Sequence, residues 1–117
     1  MKTIIAGSRT ISDLAIVEKA VFDSGFKITE VVSGGARGVD NLGEKYAANN
    51  NLPLKLFRAD WKRLGKSAGY VRNREMAGYA AALVAVWDGE SKGTKNMIEE
   101  ARKYSLKVFV LNVKEAS

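Results

Sequence analysis

A chain of 117 residues, 46% of them hydrophobic, has the size of one domain around one buried core and leaves no room for two independent ones. It has no cysteine and no histidine, which excludes disulfides and thiolate metal sites, removes the commonest zinc ligand and leaves acid–base chemistry to carboxylates, Lys or Tyr. A formal net charge of +6, from 19 Lys and Arg against 13 Asp and Glu, suits polyanionic or phosphorylated partners, although ordinary proteins can be this basic.

Taken in chain order, runs rich in β-branched residues at 3–6, 30–32, 54–57, 83–87 and 108–111 predict strands, and the amphipathic stretches between them predict helices. This alternation implies an α/β fold with a mostly parallel sheet of about five strands. The first helix is expected to start near Ser12, with Thr10 and Asp13 spaced as a capping box, Leu14, Val17 and Val21 on one face, and Gly25 as its stop. The second, over 39–49, turns Leu42 and Tyr46 inward and ends in Asn49-Asn50-Asn51 before Pro53. A third, over 68–79, carries a stripe of Val71, Met76 and Tyr79 and places Arg72, Asn73 and Arg74 near its start. A fourth, over 94–104, turns Met97, Ile98, Ala101 and Tyr104 inward, with Arg102 and Lys103 complementing its carboxyl-end dipole. Residues 58–67 read as one long irregular connection, a kind of segment that often carries function. The apolar run after Met1 is far shorter than a signal-peptide core and no later stretch approaches a membrane span, so a cytoplasmic location and no membrane partner are expected.

In an open parallel sheet the ligand site lies outside the carboxyl ends of the strands. Here those ends carry Gly7-Ser8-Arg9, then Ser33-Gly34-Gly35-Ala36-Arg37-Gly38-Val39-Asp40, then Asp88-Gly89-Glu90-Ser91-Lys92-Gly93-Thr94, each leading into a helix. Glycines at such points let backbone N–H groups and the positive helix end approach a phosphate, and Arg9, Arg37 and Arg72 are spaced to add bidentate contacts; a glycine there can equally serve only to turn the chain. Neither Gly-x-x-x-x-Gly-Lys-Ser/Thr nor Gly-x-Gly-x-x-Gly occurs, which disfavours a P-loop ATPase or an ordinary dehydrogenase. Asp40 suits either ribose hydroxyls or a helix cap. Trp61 and Tyr70, near Lys62, Arg63 and Lys66, suit a lid, a stacking platform for bases, or the core.

Together with Arg72-Asn73-Arg74-Glu75-Met76-Ala77-Gly78 and Ser91-Lys92-Gly93-Thr94, these loops resemble the SLOG superfamily, which joins the DNA-processing protein DprA with the LOG phosphoribohydrolases. The YspA-like branch, related to cpYpsA, is the nearest in pattern, since Asp60-Trp61, Gly65-Lys66 and Trp87-Asp88-Gly89 also fit it. The resemblance implies that residues 1–117 form one SLOG-like nucleotide-binding domain, a Rossmann-like three-layer sandwich with helices on both faces. It implies binding of a phosphate-bearing nucleotide or derivative, of the ADP-ribose, NAD or nucleoside monophosphate type, possible service as a sensor, and no further cofactor or metal.

The expected ligand contacts are Gly7, Ser8, Arg9, Gly34, Gly35, Ala36, Arg37, Gly38, Asp40, Trp61, Lys66, Arg72, Asn73, Asp88, Gly89, Ser91, Gly93 and Thr94. In the LOG enzymes an Arg and a Glu cleave an N-glycosidic bond; Arg72 matches the Arg, but Met97 stands at the Glu position and cannot move a proton. A hydrolase would then draw on Arg72 with Asp88 or Glu90. The likeness of 72–74 to DprA opens single-stranded DNA as an alternative partner. Pairing among relatives implies a homo-oligomer, in a bacterial cell or a phage-infected host.

Overall fold

A computed structural model describes residues 1–114. Strands β1 Lys2–Gly7, β2 Glu30–Ser33, β3 Leu54–Leu56, β4 Ala82–Trp87 and β5 Lys107–Asn112 form one parallel sheet in the order β3-β2-β1-β4-β5. Ile4 stands level with Val32 on one side and Leu83 on the other. Because the central strands are covered on both faces they are apolar throughout rather than alternating, as the fully buried run Ala82–Val86 of β4 illustrates.

One face, Ile5, Val31, Val84 and Val86, is covered by Val17, Ala20 and Val21 of α1 (Leu14–Ser24) and by Val39, Leu42 and Ala47 of α2 (Val39–Asn49). The other, Ile4, Ala6, Val32, Leu83 and Ala85, is covered by Met76 and Ala77 of α4 (Ala68–Tyr79) and by Met97, Ile98 and Ala101 of α5 (Lys92–Lys103). The chain adds β2 and β3 to one side of β1, then returns to add β4 and β5 to the other. Right-handed crossovers therefore force the last two helices onto the opposite face and produce the three layers. No helix among the described residues is long and apolar enough to cross a membrane.

Several expected boundaries move for local reasons. Helix α1 begins at Leu14 because Asp13, in extended conformation, is itself the cap: its carboxylate accepts from Ala15 N at 3.0 Å, so the capping box with Thr10 does not form. Asp13→Ala should cost about 1 kcal/mol in a denaturant titration. Of residues 58–67, only 58–60 are irregular. Asp60 caps a short helix α3 (Trp61–Leu64) by accepting from Arg63 N, and a 3₁₀ turn, Gly65–Ser67, leads directly into α4.

In α4 the buried positions are Ala68, Asn73, Met76 and Ala77, while Val71 and Tyr79 are half-buried. Helix α5 starts two residues early, at Lys92, because Ser91 caps it through Thr94 N. It ends at Lys103, so Tyr104 leaves the apolar stripe and lies half-exposed near Gly78, while Leu106 packs into the core.

Candidate functional site

The strand order reverses at β1, whose neighbours β2 and β4 send their following loops to opposite faces and open a crevice beyond its carboxyl end. Ser8 pins the loops around that crevice. Its N–H donates to Val86 O at 3.1 Å, its hydroxyl oxygen accepts from Asp88 N at 3.0 Å, and its carbonyl accepts from Val39 N at 3.3 Å. Buried in these bonds, Ser8 holds the walls of the site rather than facing its space.

Three adjoining lobes share Arg9 and Arg72. An inner lobe of about 70 Å³ is bounded by Gly7, Asp40, Asn73, Ser91, Gly93 and Thr94, with Met76 and Met97 also lining it. An outer lobe of about 350 Å³ lies over Gly34, Gly35 and Ala36 and is bordered by Arg9, Arg37, Arg58, Arg72 and Trp61. A side lobe of about 170 Å³ is lined by Trp61, Lys66, Gly69 and Tyr70. Among the described residues, Asp40 is the only carboxylate lining any of the three.

The guanidinium of Arg72 donates from Nη1 to Gly34 O at 3.2 Å and from Nη2 to Asn73 Oδ1 at 3.4 Å, while its buried Nε has no partner. Asn73 in turn donates to Asn96 Oδ1 at 2.9 Å and Gly93 O at 3.3 Å, tying the clamp to the start of α5. Gly34 makes room for this arrangement: a Cβ there would lie 2.9 Å from both Arg72 Nε and Asp40 Oδ2.

Asp40 is 4% exposed, and its Oδ2 accepts from Ala36 N at 3.2 Å. Burial raises its carboxyl to about 6, against the opposing pull of the Ala36 N–H and the Arg72 charge. Burial likewise lowers the Arg72 guanidinium; Asp40 counters the shift and Arg9 adds to it.

The sequence model of the YspA, cpYpsA-related SLOG family matches residues 1–64, from β1 through α3. Gene 61 protein of Mycobacterium phage D29 is 35% identical over 118 residues, covering 92% of this chain and 94% of that protein. The chain belongs to this SLOG family. DNA processing protein A (DprA) of Streptococcus pneumoniae shares the fold, with a TM-score of 0.71 at 20% identity over 93% of this chain. The SLOG chain spans 49% of that protein.

Most of the residues expected at the SLOG site do converge: Gly7, Arg9, Gly34, Gly35, Ala36, Arg37, Asp40, Trp61, Lys66, Arg72, Asn73, Ser91, Gly93 and Thr94 all border a lobe. Ser8 and Gly38 instead pack loop against loop. Asp88, Gly89 and Glu90 line none of the three lobes.

The Asp88 carboxylate accepts from Ser91 N and Glu90 N, both at 2.8 Å, and these bonds hold it below the usual carboxylate range. Glu90, 75% exposed at its side chain, sits 3.0 Å from Lys114 Nζ. Asp88 and Glu90, on one or other of which a hydrolase would draw, lie in a turn and in a surface ion pair, while Met97 reaches the inner lobe with no proton to move. Two residues were missed. Arg58 lies two residues past the end of β3 and directly after the strand predicted over 54–57, so the rule applied to the other strand ends would have found it; Asn96 carried no signal, because its partner Asn73 lies on another helix.

Proposed function

We propose that this SLOG domain binds a phosphate-bearing nucleotide or nucleotide derivative in the crevice, of the ADP-ribose, NAD or nucleoside monophosphate type. The observation that carries the reading is the cluster of Arg9, Arg37, Arg58 and Arg72 around the outer lobe, with no carboxylate on its lining and no ion pair to any of the four among the described residues. Guanidinium groups without an ion-pair partner, converging on a concave surface, favour phosphate oxygens through bidentate, charge-assisted bonds. Asp40, Ser91 and Thr94 in the inner lobe supply an acceptor and two hydroxyls suited to a ribose.

Thermal unfolding against ADP-ribose, NAD, AMP, inosine and cytidine monophosphates tests this. A ligand at about 100 times its Kd adds roughly 2.7 kcal/mol, enough to raise Tm by several degrees in a domain of this size. Arg72→Ala should abolish the shift measured against its own unliganded midpoint. No shift with any nucleotide would sink the reading.

A second reading, single-stranded DNA, draws on Trp61 and Tyr70, both half-exposed, beside Lys66 and the arginines. Its mark would be an affinity for a short oligonucleotide that falls steeply with salt as counterions are released.

A further inference from the structure

We infer that Arg37 and Arg58 form a second anionic subsite, so that the ligand of the outer lobe carries at least two linked phosphates rather than one. The inference rests on the nucleotide-binding reading for the rest of the ligand but not for the phosphate chain itself. The four arginines fall into two tiers. Arg9 and Arg72 border the inner, outer and side lobes alike, which puts them where a first phosphate would join the remainder of a ligand. Arg37 and Arg58 border the outer lobe and neither of the other two.

A single phosphate monoester, with a charge of about −1.5 to −2 at neutral pH, matches the first pair and leaves the second without a counterion. No carboxylate among the described residues pairs with Arg37 or Arg58, although Asp60 and Glu75 share a neighbouring hollow with Arg58. Asp60, the nearest acidic residue in sequence to Arg58, is engaged as the cap of α3 and in a 3.1 Å pair with Arg63 Nε. The space for a second group is present: the outer lobe measures about 350 Å³, and Arg58 Nη1 lies 3.7 Å from the point where a side chain on Gly35 would begin, so the absence of that side chain leaves the guanidinium open to the loop backbone. Arg9, Arg37 and Arg58 are exposed in the structure, and a bridging phosphate chain would draw them together by mutual neutralisation.

The test is calorimetric titration with inorganic phosphate, inorganic pyrophosphate, AMP and ADP, in EDTA and at about 0.15 M salt, where interactions beyond roughly 8 Å are screened. It compares the unmodified protein with Arg58→Gln and with Arg74→Gln, which removes the same charge from an exposed position bordering no lobe. Pyrophosphate and ADP should bind at least tenfold more tightly than phosphate and AMP. Arg58→Gln should shrink that advantage to threefold or less while leaving AMP within about twofold, and Arg74→Gln should preserve it.

Equal affinity for one phosphate and two, equal weakening of AMP and ADP by Arg58→Gln, or an equal loss in Arg74→Gln would overturn the subsite. If AMP binds and the second phosphate adds nothing, the subsite falls and the nucleotide reading stands. If pyrophosphate binds with the expected advantage but no nucleoside phosphate does, the subsite stands and the nucleotide reading falls. If none of the four binds, both fall.

Discussion

Replacing Gly38 by alanine should cost about 3–5 kcal/mol of unfolding free energy, against roughly 1–2 kcal/mol for the same change at Gly25. Both glycines have positive φ, but Gly25, at φ 69° and ψ 6°, is left-handed helical, which costs an L residue about 1–2 kcal/mol, whereas Gly38, at φ 76° and ψ −128°, lies in a region that L side chains essentially do not enter. Their surroundings widen the difference. A Cβ on Gly25, at the end of α1, meets nothing within 4 Å. One on Gly38 would strike the Ser8 carbonyl oxygen and lie 2.6 Å from Arg9 Cα, and both obstacles are backbone.

That backbone cannot simply retreat, because Ser8 is bonded to Val86 O, Asp88 N and Val39 N at once. Accommodating the methyl group therefore means parting the first loop from the second or from β4. Parallel denaturant titrations of the two variants provide the check. Equal costs would mean that the loops do not pack as described, and the separation of Arg9 from Arg37 would then have to be redrawn.

The convergence of the loops was legible in the sequence, because strand periodicity locates the carboxyl ends and parallel order sends them all to one edge. The roles within the loops were less so. Asp88 and Glu90 looked available as acids, yet the Asp88 carboxylate is captured by the N–H groups two and three residues on, a local turn preference that its Asp-Gly sequence already favours. Asp40 offered two readings, ribose contact or helix cap. The structure turns its carboxylate back toward the loop, onto Ala36 N, while leaving it on the wall of the inner lobe.

Arg58 was lost although the strand before it was read, because the segment that follows has no apolar stripe from which to read α3 and so looked like an irregular connection. The contact of Arg72 with Gly34 O spans 38 residues, and its existence depends on how α4 lies across the sheet, which no local pattern encodes. Tyr104 failed differently: the helical period runs through it, but the helix ends one residue earlier.

Asp40→Asn should stabilise the protein by on the order of 2–3 kcal/mol at pH 8 and by little near pH 4. Burial raises this carboxyl from its ordinary 3.8 to about 6. Between those values the folded protein holds a proton that the unfolded chain has released, so the stability contributed by the protonated group is fully present below about 3.8. It declines as pH rises through the window and is lost above about 6. At about 1.4 kcal/mol per pKa unit, a shift of this size corresponds to the stated gain.

Asparagine is neutral at every pH and keeps a carbonyl oxygen for Ala36 N, so it removes the cost of the buried charge without orphaning the donor. Unfolding free energies of both proteins from pH 4 to pH 8 check this, and a difference that stays flat over that range would refute it. A carboxylate that weakens the fold at neutral pH while lining a cleft otherwise bordered by arginines is the type of group a binding site retains against stability. The same variant therefore separates two roles: if Asp40 accepts from a ligand hydroxyl, Asp40→Asn will be the more stable protein and the weaker binder of nucleotides, with its affinity for pyrophosphate unimpaired.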